Sequence, residues 1–194
     1  IEAPDHRPHA TEYVAEMARR VVVERFGTDV YSQGIRVVTS VRSTDQAAAW
    51  TALRRGLLDH DRKQAWRGPE DQESLPDNLS GQVLERAAAL ALREHRDDET
   101  LRVAIVLNAS PREVQAQLAT GEAVVLSGEG LRWAQPGLAP KAAADLAIRR
   151  GSVIRVARVD NPSNGKPAAA SPARWAITQW PEAQAALVSM DTAT

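Results

Sequence analysis

The sequence predicts an α+β protein in which an N-terminal helical linker region leads into a small five-stranded antiparallel β-barrel. Apolar residues recur at helical spacing up to about Leu92, the period falls to two after Thr100, and Gly, Pro and Asn clusters separate the period-two runs. With 43% hydrophobic and 25% charged residues in 194, a packed core can form.

Thr11 to Phe26 places Tyr13, Met17 and Val21 on one stripe and Val14, Ala18, Val22 and Phe26 beside it, which predicts a helix ended by Gly27. Gly34 opens Ile35 to Val41, a β-branched run suited to a strand. Thr44 is a reasonable N-cap for a second helix carrying Trp50, Leu53 and Leu57. The polar stretch Ala65 to Asn78 reads as a loop, and Leu79, Val83, Ala87 and Leu90 mark a third helix that ends in the charged run Arg93 to Glu99.

Beyond it, Leu101 to Leu107, Val114 to Leu118 and Glu122 to Ser127 read as a three-strand meander, with Ser110-Pro111 and Thr120-Gly121 at its turns. An Ala-rich helix is expected over Pro140 to Ile148, then strands over Val153 to Asp160 and Arg174 to Trp180. KPAAASP, from Lys166 to Pro172, reads as a hairpin tip between them. Three strands, a helix and two strands is the order of the OB-fold, a five-stranded Greek-key barrel.

Several function classes are disfavoured. The net charge of −1 argues against a strongly basic nucleic-acid protein, although basic residues outnumber acidic ones between Leu101 and Glu182. No apolar run approaches the length of a membrane span, and the absence of cysteine removes disulfides and thiolate metal sites. With neither an initiating Met nor a basic-then-apolar leader, a fragment is expected.

Ser163-Asn164-Gly165-Lys166 spells S-x-x-K, yet Pro162, Gly165 and Pro167 make it a loop, and no K-T-G or S-x-N string accompanies it. Glu70-Asp71 reads as solvated loop, and His6 with His9, flanked by Pro4 and Pro8, read as surface histidines. His60 and His95 are expected to face solvent. Trp175, alternating with Ile177, is expected in the core. No catalytic, cofactor-binding or metal residue is assigned.

QGIRVVTSV (Gln33 to Val41), DQAAAWTAL (Asp45 to Leu53), WRGPE (Trp66 to Glu70), GLRWAQP (Gly130 to Pro136) and WAITQWPEAQAALVSMD (Trp175 to Asp191) occur in an order and spacing that together resemble class A penicillin-binding proteins. That family couples a glycosyltransferase, which polymerises lipid-linked disaccharide, to a serine transpeptidase, and some members carry an OB-like insert between them. The resemblance implies that this chain is the non-catalytic part in between, in a periplasmic, inner-membrane-anchored bacterial parent.

On that basis residues 1–66 run from the glycosyltransferase into the transpeptidase, 67–100 form a loop and helical arm, 101–182 the barrel, and 183–194 the returning strand. Ile35 to Val41 and Ala186 to Met190 would be strands separated from most of their sheet. The implied role is a docking module that contacts a regulatory partner, such as an outer-membrane lipoprotein activator, or a glycan strand. Arg132, Trp133, Trp66 and Arg67 are the candidate interface residues. The competing reading is a free-standing OB-fold protein that binds single-stranded nucleic acid, for which exposed aromatics are scarce.

Overall fold

The computed structural model describes residues 11–159 and 174–191, which divide into two compact units, one of residues 11–59 with 183–191 and one of residues 60–159 with 174–182. Ser163 to Lys166, the expected hairpin tip, and the pair His6 and His9 lie outside the described residues.

In the first unit, α1 (Thr11–Phe26) is followed by a 3₁₀ turn over Thr28–Tyr31 and by α2, which spans Ser43–Asp61. The expected strands do not form. Residues 35–41 carry no ladder, and neither do residues 186–190. A strand is defined by its hydrogen-bonded neighbour, and these segments have none among the described residues. Val38, Val188 and Met190 are largely exposed.

The second unit holds the sheet: β1 (Asp71–Gln72), β2 (Arg102–Ala109), β3 (Glu113–Leu118), β4 (Ala123–Ser127), β5 (Ser152–Val159) and β6 (Arg174–Thr178), with α3 (Gly81–Ala91) between β1 and β2. All pairings are antiparallel, in the order β1-β5-β2-β3-β4, and β6 also pairs with β5. β1 and β6 share one edge of β5, β1 opposite Ser152 and Val153 and β6 from Arg155 onward. With β1 set aside, this is the OB connectivity expected from the sequence. The sheet has six strands rather than five and is not closed, because β4 and β6 approach without forming a ladder.

The space at that open seam is filled by a 3₁₀ turn, Gly128–Leu131, which follows β4 and lies against β6. Gly130 makes this possible: a Cβ there would collide with the Trp175 carbonyl. The expected helix over Pro140 to Ile148 is absent, and a four-residue helix, α4 (Gln135–Leu138), lies upstream instead. Tertiary contacts override the Ala-rich propensity. The Leu146 carbonyl accepts the Trp66 indole N–H at 3.1 Å, and the Ile148 amide donates to Gly137 at 2.8 Å.

Two apolar clusters explain the strand patterns. Ala104, Val106, Val114, Ala116, Leu118, Leu126, Ile154, Val156 and Ile177 fill the interior of the curled sheet. On the outer side of β2 and β5, Val103, Ile105 and Val153 pack beneath α3 with Leu75, Ala88 and Leu92. β2 and β5 are therefore buried on both faces and read as nearly unbroken apolar runs, whereas β4 alternates exposed and buried. One polar side chain under α3, Gln117, is buried and donates to the Glu85 carbonyl at 2.9 Å.

β2 is started by two aspartates. Asp98 accepts from the amides of Thr100 and Leu101, and Asp97 from the Val103 amide at 2.9 Å and from Arg102 Nε. Partial burial works against the charged form of Asp97, but the Arg102 hydrogen bond and the Val103 amide outweigh it and hold the carboxyl below the usual carboxylate range. A lowered folded-state pKa gives stability that is present above the unfolded value, near 3.9, and lost as pH falls through the folded value. Asp97→Asn should therefore cost about 1–3 kcal/mol at neutral pH, and the deficit should shrink below about pH 4. Urea unfolding across pH checks this; a deficit independent of pH would contradict it.

Candidate functional site

The four candidate interface residues gather around the base of the barrel, but they are not equivalent. Leu131 is fully buried, and the turn it anchors throws Arg132 outward, where its side chain is 78% exposed and, among the described residues, pairs with Glu129 at 3.4 Å. Such a pair contributes little to stability. Trp133 is half-buried, and its indole N–H donates to the Gln64 carbonyl at 2.8 Å. Its ring meets that of Trp66 edge to face, with centroids 5.9 Å apart and planes at 76°.

Trp66 lies in the core, 5% exposed, seated against Gly137 and bonded to Leu146. It props Trp133 from below and has almost no surface to offer a partner. The next two residues of the WRGPE stretch are equally committed. Gly68, at φ 100°, runs against the Asp145 carbonyl, where any side chain would collide. Arg67 joins the two ends of the unit. Its guanidinium donates to buried Asp61 at 2.9 Å and to the Trp180 carbonyl at 2.6 Å, and pairs with Glu182 at 3.2 Å. Gln179 completes the clasp, accepting from the Arg67 amide at 3.2 Å and donating to the Ala65 carbonyl at 3.4 Å.

Arg155 extends these contacts inward. It is 3% exposed, donates to Glu70 at 2.8 Å and to the Leu101 carbonyl at 3.1 Å, and sits 4.9 Å from the Trp180 ring centroid. Glu70 is thus an ion-pair partner rather than solvated loop. The incoming stretch 61–70, the start of β2 and the outgoing stretch 178–182 are tied by two arginines and a glutamine. Sequence reasoning identified Arg67 as a surface candidate and missed Asp61, Gln179 and Arg155. The available signal was the density of Trp, Arg, Gly and Gln in WRGPE and TQW, which pattern-based reading treats as loop and strand end.

Trp175 is in the core, as expected, with Arg158 5.2 Å from its ring centroid. His60 is exposed. His95 is not: its side chain is 15% exposed, and Nε2 lies 3.0 Å from Glu73 Oε1. Asp71, Glu73 and His95 are the described residues able to hold a metal ion together, with one donor atom from each within 4.8 Å of the others. No helix among the described residues is long and apolar enough to cross a membrane.

An OB-connected sheet carrying a helix outside it, with the incoming and outgoing stretches of the unit clasped at one base, defines an OB-like domain. The penicillin-binding protein OB-like domain matches residues 66–183, and the chain belongs to that family. Penicillin-binding protein 1A of Neisseria cinerea is 37% identical over 183 residues, 94% of this chain and 21% of that protein. The protein of the same name from Pseudomonas aeruginosa is 32% identical over 186 residues, 92% of this chain and 20% of that protein. Among solved structures, penicillin-binding protein 1A from Haemophilus influenzae aligns with a TM-score of 0.60 and 29% identity, covering 88% of this chain and 22% of that one. The chain therefore spans about a fifth of the length of the relatives it matches.

The Trp66 seat yields a stability prediction. Trp66→Ala should cost about 3–5 kcal/mol, because it empties a core site and removes the support of Trp133. Trp66→Phe keeps a ring but leaves the Leu146 carbonyl without its donor, and should cost about 1–3 kcal/mol. Denaturant unfolding followed by circular dichroism separates the two; a Trp66→Ala chain within about 1 kcal/mol of the parent would contradict this seat.

Proposed function

We propose that residues 101–182 are a docking module of a bifunctional, periplasmic peptidoglycan synthase, carried by an arm over residues 67–100. Residues 1–66 and 183–194 link it to the glycosyltransferase and the transpeptidase of the parent. The observation that carries the reading is the clasp: the unit's incoming and outgoing stretches are bonded to each other at one base. A domain whose two ends meet can be inserted into a host chain without disrupting the host's fold, and is free to specialise in contacts.

The exposed part of the candidate interface is Arg132 with the free face of Trp133. An Arg beside a Trp held rigid from below is the kind of pair that dominates binding energy at protein interfaces. The occupant this surface favours is a protein regulator, with a glycan strand as the other outcome to be tested. Single-stranded nucleic acid has less support, since Trp66 and Trp175, two of the few aromatics near the barrel, are buried.

The test uses the full-length parent synthase carrying Arg132→Glu, which removes no buried contact. Glycan polymerisation and crosslinking without a regulator should match the parent, while the regulator concentration needed for half-maximal stimulation should rise about 5- to 30-fold. Co-sedimentation with isolated peptidoglycan distinguishes the glycan occupant, which predicts lost sedimentation instead. Unchanged stimulation together with unchanged sedimentation would sink the docking assignment.

A further inference from the structure

β1 is two residues long, yet it orders three side chains. Gln72 points to one face, where its amide oxygen accepts from the Ser152 hydroxyl at 3.0 Å and from Arg149 at 3.3 Å. Strand alternation places Asp71 and Glu73 on the opposite face. His95, which ends the 3₁₀ turn after α3, brings its imidazole to that face and meets Glu73. The three donor atoms lie within 4.8 Å of one another.

The charge balance here differs from the rest of the barrel base. Glu70, Asp97 and Asp61 each have an arginine partner. Among the described residues, neither Asp71 nor Glu73 has an ion pair with Lys or Arg, and Glu73 has only His95. Two carboxylates brought this close repel each other. A divalent cation relieves that repulsion. One imidazole nitrogen with two carboxylate oxygens is a donor set for zinc-class ions, whereas calcium and magnesium favour all-oxygen shells of six or more ligands.

We propose that Asp71, Glu73 and His95 form a divalent transition-metal site of the zinc class that fastens the helical arm to the barrel. The ion takes the place now held by the hydrogen bond between Glu73 and His95, Asp71 supplies the third ligand, and water completes a four-coordinate shell. Glu73 and His95 are 22 residues apart and flank α3, so the ion closes the loop that contains the arm and couples arm stability to metal.

The whole chain, freed of metal with EDTA, is titrated with zinc chloride by calorimetry and with Co²⁺ by absorption and paramagnetic NMR. The proposal predicts one saturable ion per chain below about 100 micromolar, a higher Tm with metal, and Co²⁺-shifted amides at 71–73 and 95. Asp71→Asn, at an exposed position, and Glu73→Gln should each weaken binding at least about tenfold while leaving the metal-free Tm near the parent's. His95→Ala should do the same, and if it does not fold the two carboxylate variants decide alone. The proposal is overturned if no ion is taken up, or if uptake persists in all three variants; its loss on replacement of His6 and His9 would then place the ion at those residues instead.

Discussion

Arg67 bonds two stretches of chain that are far apart in sequence: its guanidinium reaches Asp61 on the incoming side and Trp180, 113 residues on, on the outgoing side. A guanidinium suits this task because its planar fork can serve several acceptors at fixed angles, which a lysine ammonium cannot. Gln179 bonds the same incoming stretch twice from the other direction. Without this join, the sheet's outer edge, where β1 and β6 share β5, would have free ends. Arg155 carries the same logic into the interior through Glu70 and the Leu101 carbonyl. Buried ion pairs add little net stability over apolar packing, but losing one partner is costly, so the pair acts chiefly to fix which segments meet.

The clasp matters because the sheet does not seal itself. β4 and β6 form no ladder, and the seam is filled by the turn carrying Leu131, with Trp175 and the Trp66–Trp133 pair nearby in the same core. Filling a gap with indoles requires close backbone approach, and Gly68, Gly130 and Gly137 each run against a carbonyl where a Cβ would collide. Shape, more than strand pairing, closes this end. The same arrangement leaves Arg132 and one face of Trp133 outside, so the candidate docking surface is a by-product of how the seam is closed.

Much of the fold was legible in the sequence. The five longer strands, the helices α1, α2 and α3 and the OB order follow from periodicity and turn residues, because those signals are local. What failed is what depends on distant partners. Ile35 to Val41 has strand composition but no neighbour to pair with, and Pro140 to Ile148 has helix composition but gives the Leu146 carbonyl to Trp66. β1 is too short to leave a periodic signal. Of the five stretches that carried the family resemblance, WRGPE, GLRWAQP and the TQW within WAITQWPEAQAALVSMD turn out to be the parts that close the base: seat, clasp and seam. Of the candidate site, Arg132 and Trp133 were readable as a basic-aromatic pair, whereas the burial of Trp66 and the bonding of Arg67 depend on residues 80 and 113 positions away.

One set of contacts holds both ends of the barrel unit together. Amide hydrogen exchange on the Arg67→Ala chain tests it directly. The account predicts faster exchange at 64–67 and at 178–182 together, while Val103 to Val106 and Val153 to Val156 keep the protection of the parent chain. Acceleration on one side only, or equal loss of protection throughout the sheet, would contradict it.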